Sequence, residues 1–241
     1  MQRNSLNALN INVRAYFDYQ KERLAMDGRL GQKKDGTKKK KAPPRDESLL
    51  VYLKSRREEV HAFESGLEKE IAVQVKEHPL WPAFLKDVKG CGPIIAAVIV
   101  SEFDIYKAPM VSNLVSFAGL APGKDRKMKG KKRPYNQFLK DKLCGVLGSS
   151  FLKCQSPYCQ IYYDEKFRLE NSDVLVEERI GNGKTKMVKW RDAKLIHRHQ
   201  AAVRRMIKRF LQDLYVAWRD LEDLPIREPY AEEYLGKKHS A

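Results

Sequence analysis

The chain has 241 residues, 42% of them apolar, enough to build a core in one or two domains. Lys and Arg outnumber Asp and Glu by 47 to 31, a formal charge of +16; this excess points to a polyanionic partner without telling DNA from RNA. No apolar run approaches the roughly 18 residues of a membrane span and the first residues lack the apolar core of a signal peptide, so a cytoplasmic location is expected, with Cys91, Cys144, Cys154 and Cys159 as reduced thiols.

Leu6, Leu9, Val13, Phe17 and Leu24 form a helical stripe over 6–26, which Gly28 and Gly31 end. Residues 29–45 hold eight Lys or Arg, one Asp and the pair Pro43-Pro44. Such a segment cannot bury a core and is expected to be disordered in isolation. It reads both as a solvated linker and as a basic arm lying on phosphates. Asp46 is a good N-cap for a helix over 47–78, about 48 Å long at the α-helical rise. Leu53, Val60 and Leu67 fall seven apart, with Leu49 or Leu50, Phe63 and Ile71 between them, a heptad-like seam that Arg56 and Arg57 interrupt. For residues 1–80 the simplest structure is two antiparallel helices around a basic loop, with spare apolar surface for a partner chain.

Pro79 and Pro82 bracket Trp81 and break that helix. The next segment reads as a helix-hairpin-helix, with helices at 83–89 and 93–103: Leu85 and Val88 lie one turn apart, Gly90-Cys91-Gly92 makes a tight turn, and Pro93 opens a new helix. Glycines allow the positive φ such a hairpin needs and let a phosphate approach the main chain. Proline at a first helical turn loses no hydrogen bond, and the N–H groups there form an anion site. The other reading is an ordinary turn between two core helices.

Residues 113–119 read as a short helix ended by Gly119. In the segment 123–133, seven of eleven residues are basic: Lys124, Arg126, Lys127, Lys129, Lys131, Lys132 and Arg133. A helix is expected over 136–153, with Phe138, Leu139, Leu143, Val146, Leu147 and Phe151 on one side, and another over 158–169, with Ser156-Pro157 between them. Val174, Val176, Ile180, Met187, Val188 and Trp190 surround Gly181-Asn182-Gly183, a strong hairpin signal. The two strands over 174–190 should project, because two strands alone are marginal. The last helix, over 193–222, buries Val203, Met206, Ile207, Phe210, Leu211, Leu214, Trp218 and Leu221. Arg204, Arg205, Lys208, Arg209 and Arg219 fall largely on other faces. Residues 223–241 read as an extended tail over the domain. The expected fold is mainly α: a helical hairpin, then a helix-hairpin-helix domain over 81–222 with one inserted β-hairpin.

Three blocks occur in order: Gly90-Cys91-Gly92-Pro93-Ile94-Ile95-Ala96-Ala97, then Ser101-Glu102-Phe103-Asp104, then Leu114-Val115-Ser116-Phe117-Ala118-Gly119-Leu120-Ala121-Pro122. Over about 85–168 the sequence resembles the C-terminal domain of the Piv-type insertion-sequence transposases, the family of DNA invertases and bridge-RNA-guided recombinases. The helix pair before it resembles the coiled-coil region of those enzymes. The resemblance implies DNA strand exchange. It also implies an N-terminal RuvC-like domain whose Asp and Glu residues hold Mg²⁺, and a serine nucleophile in a Ser/Gly-rich loop after the Ala-Gly-Leu-x-Pro block. Nothing ahead of the helical region matches the RuvC-like domain, and the corresponding loop, 123–133, has no serine. Ser149 and Ser150, on the next helix, are the nearest substitutes, although helical serines near an apolar face are usually structural.

The expected nucleic-acid-binding residues are therefore Gly90, Cys91 and Gly92, the seven cations of 123–133, and Arg198, Arg204, Arg205 and Lys208. His197 and His199, with Arg198, are expected to contact phosphate or solvent. The spacing of Cys154 and Cys159 fits no standard zinc ligand pair, and no metal is expected in this chain; Mg²⁺ enters only with a RuvC-like partner. The expected function is DNA binding and assembly within a transposition or site-specific recombination system, acting at the nucleoid. The expected partners are DNA, a structured guide RNA, and a second copy or a RuvC-like subunit, with no membrane. The alternative is a non-catalytic accessory protein that binds DNA or structured RNA.

Overall fold

A computed structural model describes residues 3–31, 46–121, 130, 132–181 and 184–228. They are mainly helical, with one two-stranded antiparallel hairpin, as the hydrophobic periodicities imply. Two compact units form. One contains α1 (Arg3–Arg29), α2 (Glu47–Lys76) and residues 96–102; the other contains residues 79–95 and the chain from Phe103 onward.

In the first unit α1 and α2 run antiparallel, so that Asn12 meets Glu70 at 2.9 Å while Arg23 meets Glu64 at 3.1 Å. Leu9, Val13, Tyr16, Phe17 and Met26 are buried from α1, and Val60, Ile71 and Val75 from α2. Gly28 lies inside α1, and Gly31, at φ +74°, ends it. Asp46 caps α2 by accepting the Leu49 N–H at 3.1 Å. The heptad-like seam is only half realised. Leu53 and Leu67 are half-buried and Leu49 is exposed, while Phe63, also exposed, stacks on Tyr19 with ring centroids 5.5 Å apart. The seam instead takes in Glu64, whose carboxylate binds Arg23. Arg23 also reaches Asp27 at 3.2 Å, and Asp27 accepts from Arg57 at 3.0 Å. Opposite charges arriving together from two helices satisfy each other and can occupy core positions. Arg57 thus belongs to the α1–α2 contact rather than interrupting it. Residues 96–102 belong to α4 (Pro93–Glu102); Ala96 to Val100 are buried all round the helix, and Glu102 accepts from Asn10 at 3.0 Å and from Arg14 at 2.9 Å. Most of the basic segment 29–45 lies outside the described residues.

In the second unit the first hairpin helix is not continuous. A short helix α3 (Leu80–Ala83) stops at Phe84, at φ −149°, and a 3₁₀ turn over Leu85–Asp87 follows. Pro79 starts α3 rather than merely ending the helix before it. After α4 come α5 (Val111–Phe117), closed by Gly119 at φ +67°, and then α6 (Gln137–Asp141), a π turn over Lys142–Leu147, and α7 (Gly148–Cys154). The single helix expected at 136–153 thus carries a π segment. Along it Leu139, Leu143, Leu147 and Phe151 are buried and Val146 is exposed. Gln155, at φ +51°, breaks the chain before α8 (Cys159–Glu170).

Strands β1 (Leu175–Gly181) and β2 (Lys184–Lys189) pair antiparallel, Leu175 opposite Lys189, with an irregularity between Arg179 and Gly181; the Asn182-Gly183 turn lies outside the described residues. Val174, Leu175, Ile180 and Met187 are exposed. The last helix, α9 (Leu195–Leu221), buries the expected face, with Leu221 only half-buried, and adds Tyr215 and Arg219 to it. Arg219 is a correction to its expected place on an outer face. It is 5% exposed, and its guanidinium donates to the carbonyls of Pro225, Ile105 and Ala108 at 2.9, 3.4 and 3.3 Å. This ties the start of the 223–241 tail to α9; residues 229–241 lie outside the described residues.

Candidate nucleic-acid interface

The Gly90–Gly92 turn is built from two unlike glycines. Gly90 sits at φ +98°, and a Cβ there would come within 2.8 Å of the Cys154 sulfur and 3.0 Å of the Phe151 ring. Its carbonyl accepts the Ser150 hydroxyl at 2.8 Å. The turn is therefore seated on α7, and positive φ is needed at Gly90 alone. Gly92 has no positive φ, is exposed, and would place a Cβ in open space. Of the two, Gly92 is the one whose missing side chain leaves the backbone open to a ligand. Cys91 between them is buried, and burial pushes its thiol up to about 12, which keeps it protonated and a poor nucleophile.

Ser149 is exposed at the start of α7, and Ser150 holds the Gly90 carbonyl. Lys132 and Arg133 are exposed at the end of the basic loop; Lys124, Arg126, Lys127, Lys129 and Lys131 lie outside the described residues. The segment after the loop supplies cations that the sequence reading passed over. Lys140 lies over the Tyr135 ring at 4.8 Å and Lys142 over the Phe138 ring at 5.2 Å. Burial raises the Cys144 thiol to about 11, against the opposing pull of the Arg204 and Lys140 charges. At Gly148 a Cβ would meet Val203 of α9 at 2.9 Å. A lysine at position 140 carries no label in sequence; only its packing on Tyr135 marks it.

Arg205 is exposed, and Arg204 and Lys208 are partly exposed along α9. Arg198 donates to the Arg191 carbonyl at the start of α9. The two histidines, expected on phosphate or solvent, are both half-buried and each has a partner in the protein. The His199 ring shares a 2.8 Å hydrogen bond with the Tyr162 hydroxyl, and His197 packs against Trp190 with centroids 4.9 Å apart. Burial, followed by the Arg204 charge, lowers the His197 pKa. Behind the hairpin, Glu178 is buried and accepts the Lys194 N–H at 2.7 Å, which holds its carboxyl below the usual range. Among the described residues no group of three or more His, Cys, Asp or Glu side chains is placed to hold a metal ion. No described helix is long and apolar enough to cross a membrane.

This geometry offers an open glycine backbone beside buried aromatic packing, and basic side chains from α6, the π turn and α9. No curated protein matches the chain, and no solved structure matches it. The segment from Ala83 to Tyr162, which carries the turn, the π segment and both serines, matches the model of the Transposase IS116/IS110/IS902 family, and through these residues, about a third of its length, the chain carries a transposase-family domain.

Proposed function

We propose that this protein binds DNA within a transposition or site-specific recombination system, supplying binding and assembly rather than complete catalysis. The family match over 83–162 carries this reading, because it falls on the segment that presents Gly92, Lys140 and Lys142. The net charge of +16 supports it independently. The protein works at the nucleoid, as an oligomer or beside a RuvC-like subunit that brings the Mg²⁺. Gel-shift titration with duplex DNA at rising salt tests the reading. Tight binding that weakens steeply with salt is expected; absence of binding at low salt overturns it.

A second reading, a non-catalytic accessory protein on DNA or structured RNA, is supported by the loop 123–133, which holds no serine, and by Ser150, whose hydroxyl is engaged with Gly90. A structured RNA competitor tests its RNA form: displacement of DNA at lower concentration than competitor duplex favours RNA as the partner.

A further inference from the structure

A cavity of about 490 Å³ lies beside the Gly90 turn, between the 3₁₀ turn, the start of α8 and the middle of α9. Its size falls among small-molecule sites, which run from roughly 300 to 1,000 Å³. Phe84, Val88 and Ile161 give it apolar walls, and Tyr158 adds an aromatic face. Phe84 and Tyr158 both rest on Phe210, at centroid distances of 6.2 and 5.7 Å, so their positions are fixed by the core. Its polar groups are few and directed. Asp213 is held by the Tyr158 hydroxyl at 2.9 Å and by Arg209 at 3.2 Å. Lys89 and Arg209, both exposed, line the cavity together with the exposed Asp87, so its cations stand among carboxylates. Ser156 lines it too and is only 3% exposed, yet its hydroxyl has no hydrogen-bond partner among the described residues. Buried hydroxyls without a partner are uncommon in folded proteins; this one is shielded from solvent, and a rotation of the Ser156 side chain toward the cavity would let a ligand complete the bond.

A planar, largely apolar body with hydrogen-bonding edges and an attached anion satisfies these groups together: the ring against the apolar walls, its edge on Ser156 and Asp213, the phosphate on Lys89 and Arg209. That is the chemistry of a nucleotide. We infer that the cavity receives one unstacked nucleotide of a nucleic-acid strand, a base turned out of its helix, while the neighbouring Gly92 backbone takes the adjoining phosphate. The inference rests on the nucleic-acid reading above and adds to it a site and a form of substrate. Taking a base out of the stack costs a few kcal/mol, less where the base is already unpaired, so a pocket of this kind favours DNA carrying an extrahelical nucleotide over perfect duplex.

The test uses the full chain and two duplexes of the same sequence, one fully paired and one with a single bulged 2-aminopurine, with adenosine monophosphate as a third ligand. The bulged duplex should bind at least tenfold more tightly, with a change in 2-aminopurine fluorescence. Ala83→Trp fills the cavity from an exposed lining position. It should abolish the preference and the fluorescence change while leaving affinity for paired duplex within twofold. Equal affinity of the unaltered protein for both duplexes overturns the pocket and leaves the DNA-binding reading standing. Binding to neither duplex overturns both. Saturation by the free mononucleotide with no preference for the bulge overturns the strand-bound form. A preference that survives intact in a folded Ala83→Trp protein places the extrahelical base elsewhere and overturns the assignment.

Discussion

Gly90 and Gly92 stand two residues apart and do different work. At Gly90 a side chain would force a positive φ on a non-glycine and would collide with Cys154 and Phe151. Gly90→Ala should lower unfolding stability by about 2–3 kcal/mol, combining the left-handed backbone cost with overpacking; urea denaturation measures it. Gly92→Val meets open space, so the fold should survive. Binding should weaken by a similar factor on duplexes of unrelated sequence, because a backbone–phosphate contact carries no direct sequence information. Unaltered binding by folded Gly92→Val would leave the turn purely structural. His197 gives a pH dependence with a defined sign. Its folded pKa lies below its unfolded value, near the ordinary ~6.5 of imidazole, so the unfolded chain binds the proton more readily. Its share of stability is present above about pH 6.5 and is lost as pH falls through the folded pKa. Thermal midpoints should fall as pH drops below about 6.5, and His197→Gln should flatten that limb.

At the scale of elements, the α1–α2 pair depends on charges as well as on its apolar seam. Glu64 is 5% exposed and Arg23 is its partner. Arg23→Ala should cost about 2 kcal/mol, less than the roughly 3–5 kcal/mol of a fully buried broken pair because the Arg23 end touches solvent. Arg23→Ala together with Glu64→Leu should recover much of that loss, measured by denaturation of both proteins. The basic loop is tested through salt. Each neutralised phosphate contributes a slope of roughly −0.9 to log K against log salt for B-DNA. Replacing Lys129, Lys131, Lys132 and Arg133 by Ala should flatten the slope, and an unchanged slope would mean that this loop never meets the phosphates.

At the scale of the molecule, strand exchange needs a hydroxyl aimed at a phosphate with a base or a metal beside it. Ser150 is turned to a main-chain carbonyl and Ser149 faces solvent, with no gathered acidic cluster among the described residues. The protein by itself, with Mg²⁺ and its preferred DNA, should form no covalent protein–DNA adduct on a suicide substrate. An adduct lost in Ser149→Ala or Ser150→Ala would place the nucleophile on α7 after all.

The sequence by itself determined the helical class, the β-hairpin, the Asp46 cap and the apolar face of α9, because each is a local or periodic signal that hydrophobic burial enforces. It also determined the charge, and with it the kind of partner to expect. Tertiary structure decided which of two equivalent-looking glycines takes a positive φ and packs on Cys154 and Phe151, that Arg219 serves three carbonyls, and that the 136–153 helix carries a π turn and seats Gly148 against Val203. It decided as well that Glu64 rather than Leu49 lies in the α1–α2 seam, and that Ser156 lines a cavity with Tyr158 and Asp213. These depend on contacts between residues far apart in the chain. Periodicity states how much of a helix must be buried, but partners brought from elsewhere settle which polar groups can be buried with it.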